Sequence, residues 1–159
     1  MHNITERDAQ VGLGQAWHGL TDVVETIDVK DNVLTKWDVE RKPLTYVDVD
    51  GNEQETGYGI LVGSDDDKII GRPMTPSYKA ISNEKFLDLV SDAMAKLPKA
   101  KIESIGSVCN RGKVFVTVSL DGKSNYKVGD REFNDYLNFG NAHDQTSKLW
   151  INNTNTCTV

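Results

Sequence analysis

No stretch of the sequence stays apolar over the roughly 20 residues that a membrane-spanning helix needs. The opening Met1-His2-Asn3-Ile4-Thr5-Glu6-Arg7-Asp8 lacks the basic-then-apolar layout of a secretory leader. The expectation is a protein of the cytoplasm with no membrane partner. Cysteine is scarce. Cys109 and Cys157 are the only two, too few and too far apart for a disulfide framework or a Cys-x-x-Cys pair, and both are expected as free, buried thiols. A phosphate-cradling Gly-x-x-x-x-Gly-Lys-Ser/Thr loop is absent. Gly12-Leu13-Gly14 has neither the third glycine nor the leading apolar strand of a dinucleotide-binding turn. Asp65-Asp66-Asp67 lacks the spacing and closing glutamate of a calcium loop and is expected to be a solvated hairpin tip. These absences leave no cofactor and no metal to expect.

Charge is present but unevenly placed. Residues 1–80 hold 15 acidic and 8 basic side chains, whereas residues 81–159 hold 9 and 10. The net charge of −6 argues against avid non-specific binding to nucleic acid. Within Lys96 to Arg131, however, 8 basic residues face 3 acidic ones, which leaves a local phosphate-binding face open beside the plainer reading of a solvated surface. At 159 residues the chain is expected to be one domain over 16–159, preceded by a loose polar arm over 1–15, and long enough to bury roughly 70% of its unfolded surface.

Along the chain, Trp17-His18-Gly19-Leu20 is the first compact apolar signal. Thr26 can cap a short helix through Leu34, and Thr35 to Val39 alternates like a half-buried strand carrying Trp37 into the core. Pro43 is expected to end that strand, with another from Leu44 to Val49. Asp50-Gly51 marks a hairpin turn and Tyr58 to Val62 the returning strand. Lys68 to Gly71 is the next strand, ended by Pro73 and Pro76. Ser82-Asn83-Glu84 opens the best helix, with Phe86, Val90, Ala93 and Leu97 on one stripe and Pro98 as the stop. Ile102 to Val108 and Lys113 to Leu120 flank Cys109-Asn110-Arg111-Gly112 as a hairpin. Its second arm is apolar on both faces and should lie centrally. Asp121 to Asn125 is a turn or loop. Phe133 to Asn141 is a strand or, alternatively, a short amphipathic helix. Leu149 to Ile151 and Thr156 to Val159 read as two short strands. Hairpins with one substantial helix predict an α+β fold rather than a parallel α/β sheet.

Reactive side chains concentrate between Asn138 and Val159. His143-Asp144 could supply a general base or a metal ligand, with His18, Asp22 and Cys157 as donors from elsewhere, but no spacing forces these together. The alternative is that His143 and Asp144 organise a turn, their side chains bonding to backbone. Trp17, Trp37 and Trp150 could stack bases, although Trp37 reads as core.

A set of ordered motifs runs through the chain: Ala16-Trp17-His18-Gly19-Leu20; Trp37-Asp38-Val39-Glu40 with Pro43-Leu44; Tyr78-Lys79-Ala80-Ile81-Ser82-Asn83-Glu84-Lys85-Phe86; Glu103 to Ser107 with Gly112 to Val116; and Asn141-Ala142-His143-Asp144. Together they resemble the phage- and plasmid-associated proteins of domain of unknown function 932. Gln145 stands where that family usually has glycine. Its members usually continue past a Cys-x-Asn-Thr element, whereas this chain stops at Val159, as a short or a truncated member. The resemblance implies a mobile genetic element and the bacterial host cytoplasm, and it carries over no catalytic residue. Two non-enzymatic functions are expected. One is binding of single-stranded nucleic acid during replication or recombination, through Lys99, Lys101, Arg111, Lys113, Lys123, Lys127 and Arg131. The alternative is an interaction protein that modulates a host factor through its acidic half. An enzyme built on His143 and Asp144 is the third reading, and self-association is left open.

Overall fold

Valine alternating with polar residues through Lys113-Val114-Phe115-Val116-Thr117-Val118-Ser119 builds the strand around which the larger of two sheets is laid. The computed structural model describes residues 9–12, 22–24, 26–97, 99–120 and 126–158. Its strands are β1 (Ala9–Gly12), β2 (Asp22–Val24), β3 (Val39–Val47), β4 (Glu53–Gly63), β5 (Ile69–Met74), β6 (Lys101–Val108), β7 (Lys113–Ser119), β8 (Tyr126–Val128), β9 (Arg131–Ala142) and β10 (Trp150–Thr158), with a helix α1 (Asn83–Met94) between β5 and β6. The fold is α+β. Strands β10, β9, β7, β6, β1 and β2 lie side by side in that order, and β8 pairs with β9 as the seventh strand. Strands β3, β4 and β5 form a separate three-stranded meander. The pairings are antiparallel apart from β1 with β2.

The core lies on one face of the large sheet. Val114, Val116 and Val118 of β7 are buried beside Ile102 and Ile105 of β6 and Phe139 of β9. Against them pack Phe86, Leu87 and Val90 of α1 and Leu61, Ile70 and Met74 of the small sheet. Each such side chain contributes about 1.5–3 kcal/mol by leaving water. Helix α1 starts as its sequence predicts: Ser82 Oγ accepts the Lys85 amide at 3.2 Å, and Glu84 stands at the positive end of the dipole. It ends at Met94, a turn before Leu97, and Pro98 lies outside the described residues.

Several local expectations are corrected. The helix over Thr26 to Leu34 is replaced by a tight bridge between Asp28 and Asp31 and a 3₁₀ turn over Val33–Lys36. Buried Asn32 caps that turn, its Oδ1 accepting the Leu34 amide and its Nδ2 donating to the Asp28 and Val29 carbonyls. The same turn displaces the strand expected over Thr35 to Val39, which begins only at Val39. Strands β3 and β5 run through Pro43 and Pro73 because both are edge strands, where a missing N–H breaks no ladder. The two short C-terminal pieces are one strand, β10, in unbroken register with β9. Ala9–Gly12, expected within a loose arm, form β1, whose Ala9, Gln10 and Val11 pair with β6. Phe133 to Asn141 is strand, and Cys109 is exposed rather than buried. Trp17-His18-Gly19-Leu20 and Asp121 to Asn125 lie outside the described residues.

The two sheets meet where β5 crosses the turn after β9. Gly71 has φ +85°, and a Cβ there would stand 2.8 Å from Asp144 Cα and 3.1 Å from the His143 carbonyl oxygen. Backbone, unlike a side-chain tip, cannot swing away. Gly71→Ala is therefore expected to destabilise the protein by roughly 1–3 kcal/mol through left-handed strain and overpacking. The urea midpoint checks this, and an unshifted midpoint would contradict the close approach.

Candidate functional site

The hairpin loop between β6 and β7 is built from three successive residues with positive φ: Cys109 (56°), Asn110 (51°) and Arg111 (66°). This conformation turns the Arg111 side chain back toward the small sheet. Its guanidinium meets Asp65 through two hydrogen bonds, Nη1–Oδ1 at 2.7 Å and Nη2–Oδ2 at 3.1 Å. Asp66 Oδ1 lies 3.6 Å from Nη1, and the Trp37 ring centroid is 4.6 Å from Cζ. The Arg111 side chain is only 15% exposed. Its hydrogen bonds, and then its charge, hold the Asp65 carboxyl below the usual carboxylate range against the opposing cost of burial. One expectation changes here: Arg111 is not displayed for phosphate binding. Asp65-Asp66-Asp67 lies in the exposed turn between β4 and β5, as expected, with its carboxylates paired. Asp65 and Asp66 engage Arg111, while Asp67 pairs with Lys42.

Beneath this clasp lies a buried polar knot. His143 is 1% exposed, and its ring stands edge-on to Trp37 with centroids 5.9 Å apart. His143 Nε2 lies 2.9 Å from Asn83 Oδ1. Asn83 Nδ2 is committed to the Leu34 and Trp37 carbonyls, at 3.2 and 2.9 Å. The Asn83 oxygen must therefore accept, so Nε2 carries the proton and Nδ1 is bare. Nδ1 has no hydrogen-bond partner among the described residues. Asp38 braces the same corner, its Oδ1 accepting the Val39 and Asn83 amides at 2.7 and 2.9 Å. The Asp144 carboxylate points elsewhere and accepts from the Thr146 amide and hydroxyl at 3.0 and 2.6 Å. Asp144 thus organises its turn through backbone, as one reading of the sequence has it, whereas His143 bonds a distant side chain instead. The two do not form a pair. His18 and the Asp22 and Cys157 side chains lie outside what the structure describes, and no group of three metal-binding side chains occurs among the described residues.

The opposite face of the large sheet is assembled differently. Register places Lys113, Phe115, Thr117 and Ser119 of β7 on this face, opposite Ala142, Gly140, Asn138 and Tyr136 of β9. Trp150 and Asn152 of β10 continue the rows of Gly140 and Asn138. Gly140 has no side chain, and the Trp150 indole fills that space: a Cβ on Gly140 would come within 2.2 Å of the ring. One row further, Thr117 Oγ1 donates to Asn138 Oδ1 at 2.9 Å, and Asn138 Nδ2 donates to Thr154 Oγ1 at 2.8 Å. Lys101 pairs with Ser119, and Lys127 pairs with position 132, an even number of residues from Asn138. Lys101, Lys113 and Lys127 therefore share this face. Lys99 is exposed in the turn before β6, and neither Lys123 nor the Arg131 side chain lies within the described residues.

No family model matches the sequence, and neither the curated proteins nor the solved structures offer a match. The chain's own residues are then the ground for a functional reading. Sequence reasoning missed the partners that decide these sites: Asp65 and Trp37 for Arg111, Asn83 for His143, and Gly140 for Trp150. The partners of Arg111 and His143 lie far away in sequence. The one usable signal was local, the capped helix start at Ser82-Asn83-Glu84.

Burial pushes the His143 pKa down from its ordinary value to about 4, against the opposing pull of the Asp38 and Asp144 charges. The unfolded chain takes up a proton near pH 6.5 that the folded one refuses until about pH 4. Stability contributed by the neutral ring is full above pH 6.5 and is lost as pH falls to about 4, a loss on the order of 3 kcal/mol. His143→Gln keeps a donor toward Asn83 and cannot titrate, so the difference between its stability–pH curve and that of the wild type should flatten above pH 6.5 and change only below it. A constant difference across that range would refute the buried neutral ring. Arg111→Ala should cost on the order of 2–3 kcal/mol in denaturant unfolding, and Arg111→Lys should recover only part, because a lysine cannot make the two-pronged contact.

Proposed function

We propose that this is a non-enzymatic protein that binds single-stranded nucleic acid across the outer face of its seven-stranded sheet. One observation supports the reading: Lys101, Lys113 and Lys127 alternate onto the same face as Phe115, Trp150 and the Thr117–Asn138–Thr154 ladder. Ser119, Tyr136 and Ala142 of this face are buried. Its half-buried Phe115, Asn138 and Trp150 and its lysines combine the two things a single strand needs, cations for its phosphates and apolar and amide groups for its bases. The buried His143 argues against proton-transfer chemistry at the His-Asp segment, because no substrate reaches a ring that is 1% exposed. The resemblance of the ordered motifs to domain of unknown function 932 supports, on this proposal, an origin in a phage or plasmid acting in its bacterial host. Among the described residues no helix is long and apolar enough to cross a membrane.

A labelled oligonucleotide followed by fluorescence anisotropy tests the proposal. Three phosphate contacts predict a log–log salt dependence with a slope of roughly −2, reduced by about 0.7 for each lysine replaced by alanine. Trp150→Leu should weaken binding by about 1–3 kcal/mol with little change in that slope. Folded protein that binds no oligonucleotide at low salt would overturn it.

The interaction-protein reading keeps one observation in its favour. The far half of the β3–β4 hairpin stands exposed on both faces and carries Asp48, Asp50, Glu53 and Glu55 with no basic residue between Leu44 and Tyr58. Tyr46, Val47 and Val49 are exposed beside them. Under this reading, asparagine and glutamine at the four carboxylates would abolish capture of a stoichiometric basic host protein while leaving oligonucleotide binding intact. Retained capture would remove it.

A further inference from the structure

A sheet edge offers unpaired N–H and C=O groups to any other strand, and most proteins blunt it with charge, proline, irregularity or shortness. Among the described residues, this fold does so at every outer sheet edge except that of β10. Edge strand β3 carries Glu40, Arg41, Lys42 and Pro43 and a register shift between Pro43 and Thr45. Edge strand β5 has six residues, including Arg72 and Pro73, and a shift of its own. Strands β2 and β8 are three residues long. Strand β10 has none of these devices. Its nine residues, Trp-Ile-Asn-Asn-Thr-Asn-Thr-Cys-Thr, contain no proline and no charge. It keeps an unshifted register with β9 from Trp150–Gly140 to Thr158–Glu132. Ile151 to Asn155 are exposed whichever way they point, with Ile151 58% exposed.

We propose that β10 is a self-association edge, along which a second copy of this chain pairs antiparallel, β10 to β10, to make a two-fold dimer with one continuous sheet. The composition of the strand selects this occupant. In two-fold antiparallel pairing a strand meets itself, so any charged residue at its centre would face its own sign. A chain of net charge −6 that presents nine uncharged residues along one edge removes that repulsion where it would act. Asn and Thr each carry both a donor and an acceptor and can satisfy their counterparts in a second copy. Full overlap sets Thr154 against Thr154 of the second copy, with Asn153 near the two-fold axis. A partner chosen by charge would find nothing to read on this edge.

The test needs no nucleic acid, so it stands or falls apart from the nucleic-acid proposal. Light scattering after size exclusion should give twice the chain mass of 17.7 kDa at high concentration and a falling mass on dilution. Ile151→Lys with Asn153→Lys, both at exposed positions, should raise the dissociation constant by at least about tenfold while circular dichroism of the dilute protein is unchanged. Hydrogen exchange supplies the second measurement: the amides of β10 that point away from β9 should be protected in the dimer and exchange freely on dilution. A protein that is monomeric throughout, or a dimer indifferent to both lysines, would overturn the proposal.

Discussion

The hydrogen bond from His143 Nε2 to Asn83 Oδ1, 2.9 Å long and fully buried, ties the turn after β9 to the first residue of α1. Both partners are 1% exposed, so each would leave a polar group stranded without the other. Such a bond adds little net energy when made and costs much when broken. Its value is specificity, because it sets where the helix meets the large sheet. Asn83 passes the constraint on to the chain before β3 through the Leu34 and Trp37 carbonyls, and Asn141 adds a second tie to Ile81 O at 3.1 Å. The apolar core would tolerate several packings of Phe86 and Val90 on the valines of β7. The polar knot accepts one.

The Arg111 clasp depends on that knot. Trp37 stands between them, taking the guanidinium at 4.6 Å and the imidazole edge at 5.9 Å. A tryptophan ring offers a negative face to a cation and accepts a positive ring edge, so one side chain serves both contacts. Three residues in left-handed backbone precede β7, a conformation that costs free energy at each non-glycine position. The two-pronged contact to Asp65 offsets that cost. What looked from charge alone like a basic loop is a strut between sheets, so the proposed phosphate-binding role rests on lysines elsewhere.

What was legible in the sequence follows from range. The start of α1 is announced by Ser82, Asn83 and Glu84 within one turn, and the β6–β7 hairpin by alternation within one strand pair, so both were readable. The 3₁₀ turn at Val33 was not, because Asn32 captures the chain through bonds to Asp28, Val29 and Leu34 that compete with the helix Thr26 could have begun. Pro43 and Pro73 misled because a proline ends a central strand but not an edge strand, and edge or centre is a property of the whole sheet. β10 read as fragments because Asn is a poor strand former; its pairing with β9 supplies the continuity. The candidate sites were legible as residue types and illegible as partnerships. Arg111 finds Asp65 across 46 positions and His143 finds Asn83 across 60, and no local pattern encodes either.

The outer face and the β10 edge are mechanically one object. Trp150 is seated by the missing side chain of Gly140, and Thr154 is held by Asn138, which is held in turn by Thr117. Trp150 and Thr154 of the proposed binding face thus both belong to the edge strand. An edge strand bonded on one side twists and frays more readily than one bonded on both. Anything that pairs with the open side of β10 stiffens the strand that carries Trp150, and it does so without touching the face where a base would lie. The same ladder works in reverse: a ligand that orders Trp150 and Thr154 lowers the conformational entropy that β10 has left to lose on pairing. On the two proposals together, linkage between the surfaces would be positive, seated in the Asn138–Thr154 bond rather than in any contact between the ligands themselves.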